Sequence, residues 1–167
     1  MDTKFTHLHL HTGYSLLDGF SPIPKLLDRV KELGMESCAI TDHGCMFGVV
    51  EFYKEAKKRD LKPIIGCEVY TVNKNYMDKS PQNKNYNHLI LLAENNIGYK
   101  NLMKIVSLGY LNGFYYKPRV DKDVLRKYSE GLICLSACLK GEVSEKLVNN
   151  NYAGAKKAAA ELEDIFG

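Results

Sequence analysis

At 167 residues, with 45 % hydrophobic and 26 % charged content, the chain has the size and balance of one globular domain with a substantial core. A net charge of only +3 excludes binding of polyanions by bulk charge, so any nucleic-acid contact must come from a local patch. Cys38, Cys45, Cys67, Cys134 and Cys138 lack disulfide-framework spacing, the opening residues lack a long apolar leader segment, and no apolar run approaches the ~18 residues of a membrane span; free thiols in a cytoplasmic, non-membrane setting are expected.

The chain opens on Thr6-His7-Leu8-His9-Leu10-His11-Thr12, which reads as a first strand. Alternation along a strand turns His7, His9 and His11 to one face and Leu8 and Leu10 to the other. Residues two apart on a strand lie roughly 6.6 Å apart, within reach of one metal ion for two imidazoles. With Asp18 in the loop that follows, the run makes a candidate metal site that other stretches must complete.

Pro22 and Pro24 announce a helix with an apolar stripe of Leu26, Leu27, Val30 and Leu33, stopped by Gly34. A buried strand over 38–41 runs into Asp42-His43-Gly44. A second helix over 47–59 is expected to turn Val50, Tyr53 and Ala56 inward, with Glu51, Glu55, Lys54 and Lys58 in water. A third strand over 62–72 carries one acidic residue, Glu68, in an apolar run. The polar, aperiodic stretch 73–87 reads as a surface loop.

Strand four over 88–93 and a helix over 98–108 follow, then an aromatic-basic segment over 113–119 and a short helix over 121–128. Strand five over 132–136 delivers Cys138, and two helices separated by Asn149-Asn150-Asn151 close the chain. The last of them places Ala155, Ala158, Ala159, Leu162 and Phe166 on one side. This alternation argues for a largely parallel α/β layer or barrel.

Sites in such folds gather where strands end. His9, His11, His43 and Cys138 fit that rule, Glu68 fits if its strand bends or ends near Gly66, and His88 opens its strand. Only an antiparallel return from the Glu68 strand through 73–87 would bring His88 to the same edge. The combined set, His9, His11, Asp18, His43, Glu68, His88 and Cys138, offers nitrogen, oxygen and sulfur ligands suited to zinc, manganese or iron. Glu68 has two oxygens and can bridge two ions about 3.5–4 Å apart, an arrangement suited to phosphoester hydrolysis.

The strings H-L-H-L-H-T-G-Y-S-L-L-D-G, T-D-H-G, K-P-I-I-G-C-E-V-Y, N-H-L-I-L-L-A, Y-Y-K-P-R-V-D and S-A-C-L-K-G-E-V occur in this order along the whole chain. Together they resemble the PHP (polymerase and histidinol phosphatase) domain of bacterial replicative DNA polymerase III α subunits. The resemblance implies a distorted (β/α)7 barrel holding up to three divalent metals. It implies His9, His11 and Glu68 as ligands of the first metal, Glu68, His88 and Cys138 of the second, and Asp18 and His43 of the third. His7 and Asp42 would support these ligands from behind. The implied activity is a 3′–5′ proofreading exonuclease, with a metal-bound hydroxide held by His9, His11, Glu68, His88 and Cys138. Its partners would be single-stranded 3′ ends or primer–template DNA, other polymerase domains and replisome subunits.

The family's closing Asp-x-His motif does not occur before Gly167. A truncated domain lacking its final strands is therefore expected, with only the second metal fully liganded and nucleotide transfer residing elsewhere. A metal-braced structural module without hydrolysis, or a stand-alone phosphatase of the histidinol-phosphate type, are the alternative readings. Tyr115, Lys117 and Arg119 are candidates for DNA or interdomain contact. Cys38, Cys45, Cys67 and Cys134 are expected as packing thiols, and Lys54, Lys57, Lys58 and Arg59 as a solvated helix face.

Overall fold

The structure, a computed structural model, describes residues 5–167. Helix α1 (Ile23–Glu32) precedes strand β1 (Ser37–Ile40), α2 (Val49–Lys57) precedes β2 (Lys62–Val72), and an irregular stretch with one 3-10 turn (Pro81–Asn83) leads to β3 (Asn87–Ala93). Then come α3 (Asn96–Leu111), a hairpin of β4 (Phe114–Tyr115) and β5 (Lys117–Asp121), and α4 (Lys122–Lys127). Strand β6 (Leu132–Leu135) and helices α5 (Glu142–Val148) and α6 (Tyr152–Phe166) complete the chain.

Local chemistry sets most boundaries. Gly34, at φ 71°, ends α1 in the left-handed conformation that glycine adopts without steric cost. Asn95 caps α3 by accepting from the N–H groups of Ile97 and Gly98 at 2.9 and 3.0 Å. Asp121 caps α4 through Val124 N–H at 3.0 Å, and Asn151 caps α6 through Gly154 N–H at 2.9 Å.

Three helix faces differ from the sequence reading. Helix α2 buries Val49, Phe52 and Ala56 and leaves Val50 and Tyr53 exposed, a shift of one residue in its first turns that puts the wholly apolar Phe52 inside and the Tyr53 hydroxyl outside. In α1 the buried set is Ile23, Leu27 and Val30; Leu33 lies past the last turn and is exposed. In α6 Ile165 is buried and Ala159 faces water.

The sheet runs β4-β5-β2-β3-β6 and is mixed rather than largely parallel. Strand β2 pairs antiparallel with β3, placing Tyr70 opposite His88 and Glu68 opposite Ile90; β3 pairs antiparallel with β6. The other edge of β2 changes partner along its length. Residues 62–65 pair in parallel with β1, Glu68 pairs with His43 by a single bridge, and residues 70–72 pair in parallel with β5. The segment 113–119, left without secondary structure by the sequence reading, supplies β4 and most of β5.

Alternation along β2 and β3 then divides the protein. Cys67, Val69, Leu89 and Leu91 pack with Leu102 and Ile105 of α3 and Ile165 of α6 in the main core. Glu68, Tyr70 and His88 lie on the opposite face, beside a small apolar patch of Ala39, Ile90 and Leu92. A second core joins α1 and α2 to β1 through Leu27, Val30, Cys38, Ile40 and Phe52.

Arg119, expected at the surface as a nucleic-acid or interdomain contact, is fully buried. Its guanidinium donates to the carbonyls of Gly113, Asn83, Tyr76 and Asp78 and lies 5.0 Å from the Tyr115 ring centre. It ties the irregular stretch 73–86 down onto the sheet, so the Arg119 guanidinium is spent on main-chain carbonyls and is not free at the surface.

Candidate metal centre

The histidine run is not a regular strand. It lies beside β1 through Ala39 N–H to His7 C=O at 2.8 Å and Thr41 N–H to Leu10 C=O at 2.9 Å, but Leu10 N–H donates to the Thr41 hydroxyl and the backbone bends at His9. The bend brings His9 Nε2 and His11 Nε2 to 3.1 Å, far closer than strand spacing alone would. It leaves His7 exposed with its ring edge on Phe5 at 4.9 Å, and no described contact joins His7 to the other imidazoles; its supporting place behind a ligand is not found.

Glu68, fully buried on β2, is the hub of the cluster. Its Oε2 lies 2.7 Å from His9 Nε2, 3.0 Å from His11 Nε2 and 3.7 Å from His43 Nδ1, while its Oε1 abuts His88 Nδ1. The antiparallel return of β3 brings His88 there. His43 sits on the turn where β1 leaves the edge of β2, stacks on His11 at 4.1 Å and meets Asp18 Oδ2 through Nε2 at 2.5 Å. Cys138, exposed beyond β6, meets His88 among the described residues, with Sγ 3.6 Å from Nδ1.

Three overlapping triads emerge: His9, His11 and Glu68; His11, Asp18 and His43; and His43, Glu68 and His88. His43 thus stands where the sequence reading set Cys138 beside Glu68 and His88. Two observations test the fit of a cation. The donor atoms of the first triad are 2.7, 3.0 and 3.1 Å apart, close to the roughly 3 Å ligand–ligand edge set by metal bonds of about 2.0–2.1 Å. His43 Nδ1 and Glu68 Oε1 are also buried without a hydrogen-bond partner, the latter pressed against another ring nitrogen. A divalent cation satisfies both, and the donor set suits one.

Electrostatics agree. Burial alone would raise Glu68, yet the ring nitrogens of His11, His88 and His9 outweigh it and hold the carboxyl well below the usual carboxylate range. Burial opposes the charged form of His11, but the Glu68 carboxylate wins and raises it; at His43 burial prevails over Asp18 and lowers it.

Asp42, almost wholly buried, does not touch an imidazole. Its carboxylate accepts from Thr12 N–H at 2.6 Å, Thr12 Oγ1 at 2.7 Å and Ser15 Oγ at 2.7 Å. Ser15 in turn accepts from His43 N–H at 3.1 Å and lies 3.5 Å from His11 Nδ1. Asp42 therefore acts one bond further back than expected, fixing the turn that presents His11, Asp18 and His43.

The cluster floors an open cavity of about 630 Å³ whose walls include Tyr70, Tyr86, Lys117 and Lys140. Of the aromatic-basic segment, only Lys117 reaches it, lying 5.4 Å from the Tyr70 ring centre. Tyr70, Tyr86, Lys140 and Ser15 escaped the sequence reading. The signal for two of them was spacing: Tyr70 stands two residues from Glu68 and Tyr86 two from His88, hence on the same faces.

The profile of the PHP domain family matches residues 7–167. The DNA polymerase III α subunit of Borreliella burgdorferi is 48 % identical over 167 residues, covering 99 % of this chain and 15 % of that protein. Those of Helicobacter pylori and Aquifex aeolicus are 51 % and 44 % identical, covering 97 % and 100 % of this chain and 14 % and 15 % of theirs. The chain thus spans about 15 % of the length of these curated relatives. A solved metal-dependent phosphoesterase of Bifidobacterium adolescentis superposes on 62 % of this chain and 32 % of its own, with a TM-score of 0.46 and 20 % identity, too loose a match to bear on activity. By the extent of the profile match and by the identity to these relatives, the chain belongs to the PHP domain family.

Proposed function

We propose that residues 7–167 belong to the PHP domain of a bacterial DNA polymerase III α subunit, and that this domain is a metal-dependent 3′–5′ exonuclease on unpaired DNA ends. The observation that supports this most is Glu68: a buried carboxylate whose two oxygens face the ring nitrogens of His9, His11, His43 and His88. Up to three ions of zinc, manganese or iron would be held by His9, His11, Asp18, His43, Glu68, His88 and Cys138. Divalent ions there supply an acidified water and neutralise phosphoryl oxygens.

The chain's own residues do the rest. Glu68 keeps its negative charge at neutral pH and holds the facing imidazoles in register. Asp42 and Ser15 keep the Thr12–Asp18 turn from drifting. Lys117 and Lys140 offer ammonium groups to the phosphates of a strand entering the cavity. Five free thiols accord with a reducing cytoplasm, no described helix is long and apolar enough to cross a membrane, and the partners are DNA, neighbouring polymerase domains and replisome subunits.

The test is release of the terminal nucleotide from a 3′-mismatched primer–template by the intact protein, first stripped with chelator and then resupplied with manganese or zinc. Release should return with metal and fall at least about 100-fold in Glu68→Gln while polymerisation persists. Metal bound in stoichiometric amount with no nucleotide released would instead favour a structural brace.

A further inference from the structure

The mouth of the cavity is built of leucines that no described residue covers. Leu16 and Leu17 on one turn and Leu139 on another line it, with relative exposures of 84 %, 109 % and 77 %. Neither turn is loose. Ser15 N–H bonds Thr12 C=O at 3.0 Å, Asp18 N–H and Gly19 N–H bond Ser15 C=O at 3.0 and 2.7 Å, and the Asp42 carboxylate anchors the turn from below. Leu17 itself sits at φ 66°, and Ala137, two residues before Leu139, at φ 63°. A left-handed conformation at a non-glycine residue costs of order 1–3 kcal/mol, and such strain concentrates at functional sites.

We infer that Leu16, Leu17 and Leu139 grip an unpaired nucleobase, so that the cavity accepts nucleotides by base as well as by phosphate. This rests on the phosphoesterase reading above and names what that site recognises. Lys117 and Lys140 on the same walls call for an anion, while the leucines call for an apolar partner beside it. Inorganic phosphate leaves the leucines bare, and a sugar phosphate turns hydroxyls toward them. An acyl chain needs a long apolar groove, whereas beyond the leucines the walls are histidine, aspartate, lysine and the rings of Tyr70 and Tyr86. A nucleotide matches both halves. Aliphatic contact reads no base edge, so the grip is indifferent to sequence and demands only that the base be unpaired.

The experiment uses the intact protein and two single-stranded oligonucleotides that differ only at the 3′ end, one closing in thymidine and the other in an abasic sugar. The thymidine end should show a KM about tenfold lower, the scale of a modest apolar pocket. In the double variant Leu16→Ser, Leu17→Asn, with asparagine chosen because it tolerates the left-handed turn, the ratio should fall to within about twofold. Leu33→Ser, at a remote exposed leucine, should keep the tenfold ratio. A double variant that keeps it too would overturn the inference and assign the leucines to packing against another part of the protein. Should neither oligonucleotide be cut with metal present, the phosphoesterase reading falls by itself. Fluorescence anisotropy with the same two probes then decides the grip: a thymidine preference lost in the double variant upholds it, and equal Kd values sink it.

Discussion

Replacing Arg119 by methionine removes a buried cation and keeps most of its apolar stem. In the parent the guanidinium serves four main-chain carbonyls: Gly113 at 3.2 Å, Tyr76 at 3.4 Å, Asp78 at 3.0 Å, and Asn83 at shorter range. Burial lowers its pKa against the smaller opposing pull of Asp78 and Tyr115, which places the cost of the charge on those four acceptors. A hydrogen bond to a charged group is worth about 1.5–3 kcal/mol net, and the Asp78 and Gly113 bonds are the two of ordinary length. The expected loss is therefore about 3–5 kcal/mol. For a chain of this size that is a fall in Tm of roughly 10 °C, at about 2–4 °C per kcal/mol. Denaturant titration measures it, and trypsin at Lys74, Lys79 and Lys84 reports whether the tied-down stretch has come loose. Lysine at 119 should recover less than half, because one ammonium cannot span carbonyls from three parts of the chain. A methionine variant within about 1 kcal/mol of the parent, or one no more open to trypsin, would refute the assignment of Arg119 as a clamp.

Metal-free protein should show a stability optimum in mildly acid solution. Glu68 is depressed below the ordinary glutamate value of 4.5, so its contribution is complete above that pH and is lost as pH falls toward the folded value; His11 is raised above 6.5, so its contribution is complete below that pH and is lost as pH rises through the raised value. His43, lowered below 6.5 by burial, subtracts stability as pH falls and moves the peak toward the upper limit, so chelated protein melted across pH 3 to 9 should lose stability at both ends, and a flat profile would contradict the ion-pair geometry. Ser15→Ala removes a donor to Asp42 and the acceptor for His43 N–H, and should weaken metal binding by about 10- to 100-fold in a competitive titration with a chromophoric chelator. Gly98→Ala should destabilise by about 1–3 kcal/mol despite alanine's better helix propensity, since its Cβ would meet Gly131 O at 1.7 Å; an unchanged denaturation midpoint would show that the α3 contact is softer than drawn.

What the sequence made legible was whatever a local pattern or a single geometric rule could carry. The extent of β2 was readable from its apolar run, with a proline only at its second position. The return of His88 toward Glu68 followed from strand polarity once both were required at one edge. Arg119 was not readable: its acceptors come from an aperiodic stretch and a separate turn, and an arginine among tyrosines carries the same composition whether it meets solvent or carbonyls. The bend at His9 was equally hidden, because it depends on Thr41, far along the chain, taking Leu10 N–H from the ladder. In α2, Val49, Val50, Phe52, Tyr53 and Ala56 support two overlapping faces, and only the space beneath the helix chose between them. The convergence of the cluster and the supporting place of Asp42 were thus foreseeable, whereas Ser15, which carries that support to His43, was not.

The change of partner along one edge of β2 has a consequence for how this domain can vary. Glu68 occupies the short gap after one neighbour departs and before the next arrives, with Asp42 C=O accepting its N–H at 3.1 Å and its own C=O accepting Gly44 N–H at 2.8 Å. A single residue inserted between Pro63 and Glu68 would rotate the carboxylate into the main core and carry Cys67 outward. Insertions should therefore be borne by the loops, and β2 acts as a ruler whose divisions cannot be altered without emptying the cluster of its anion.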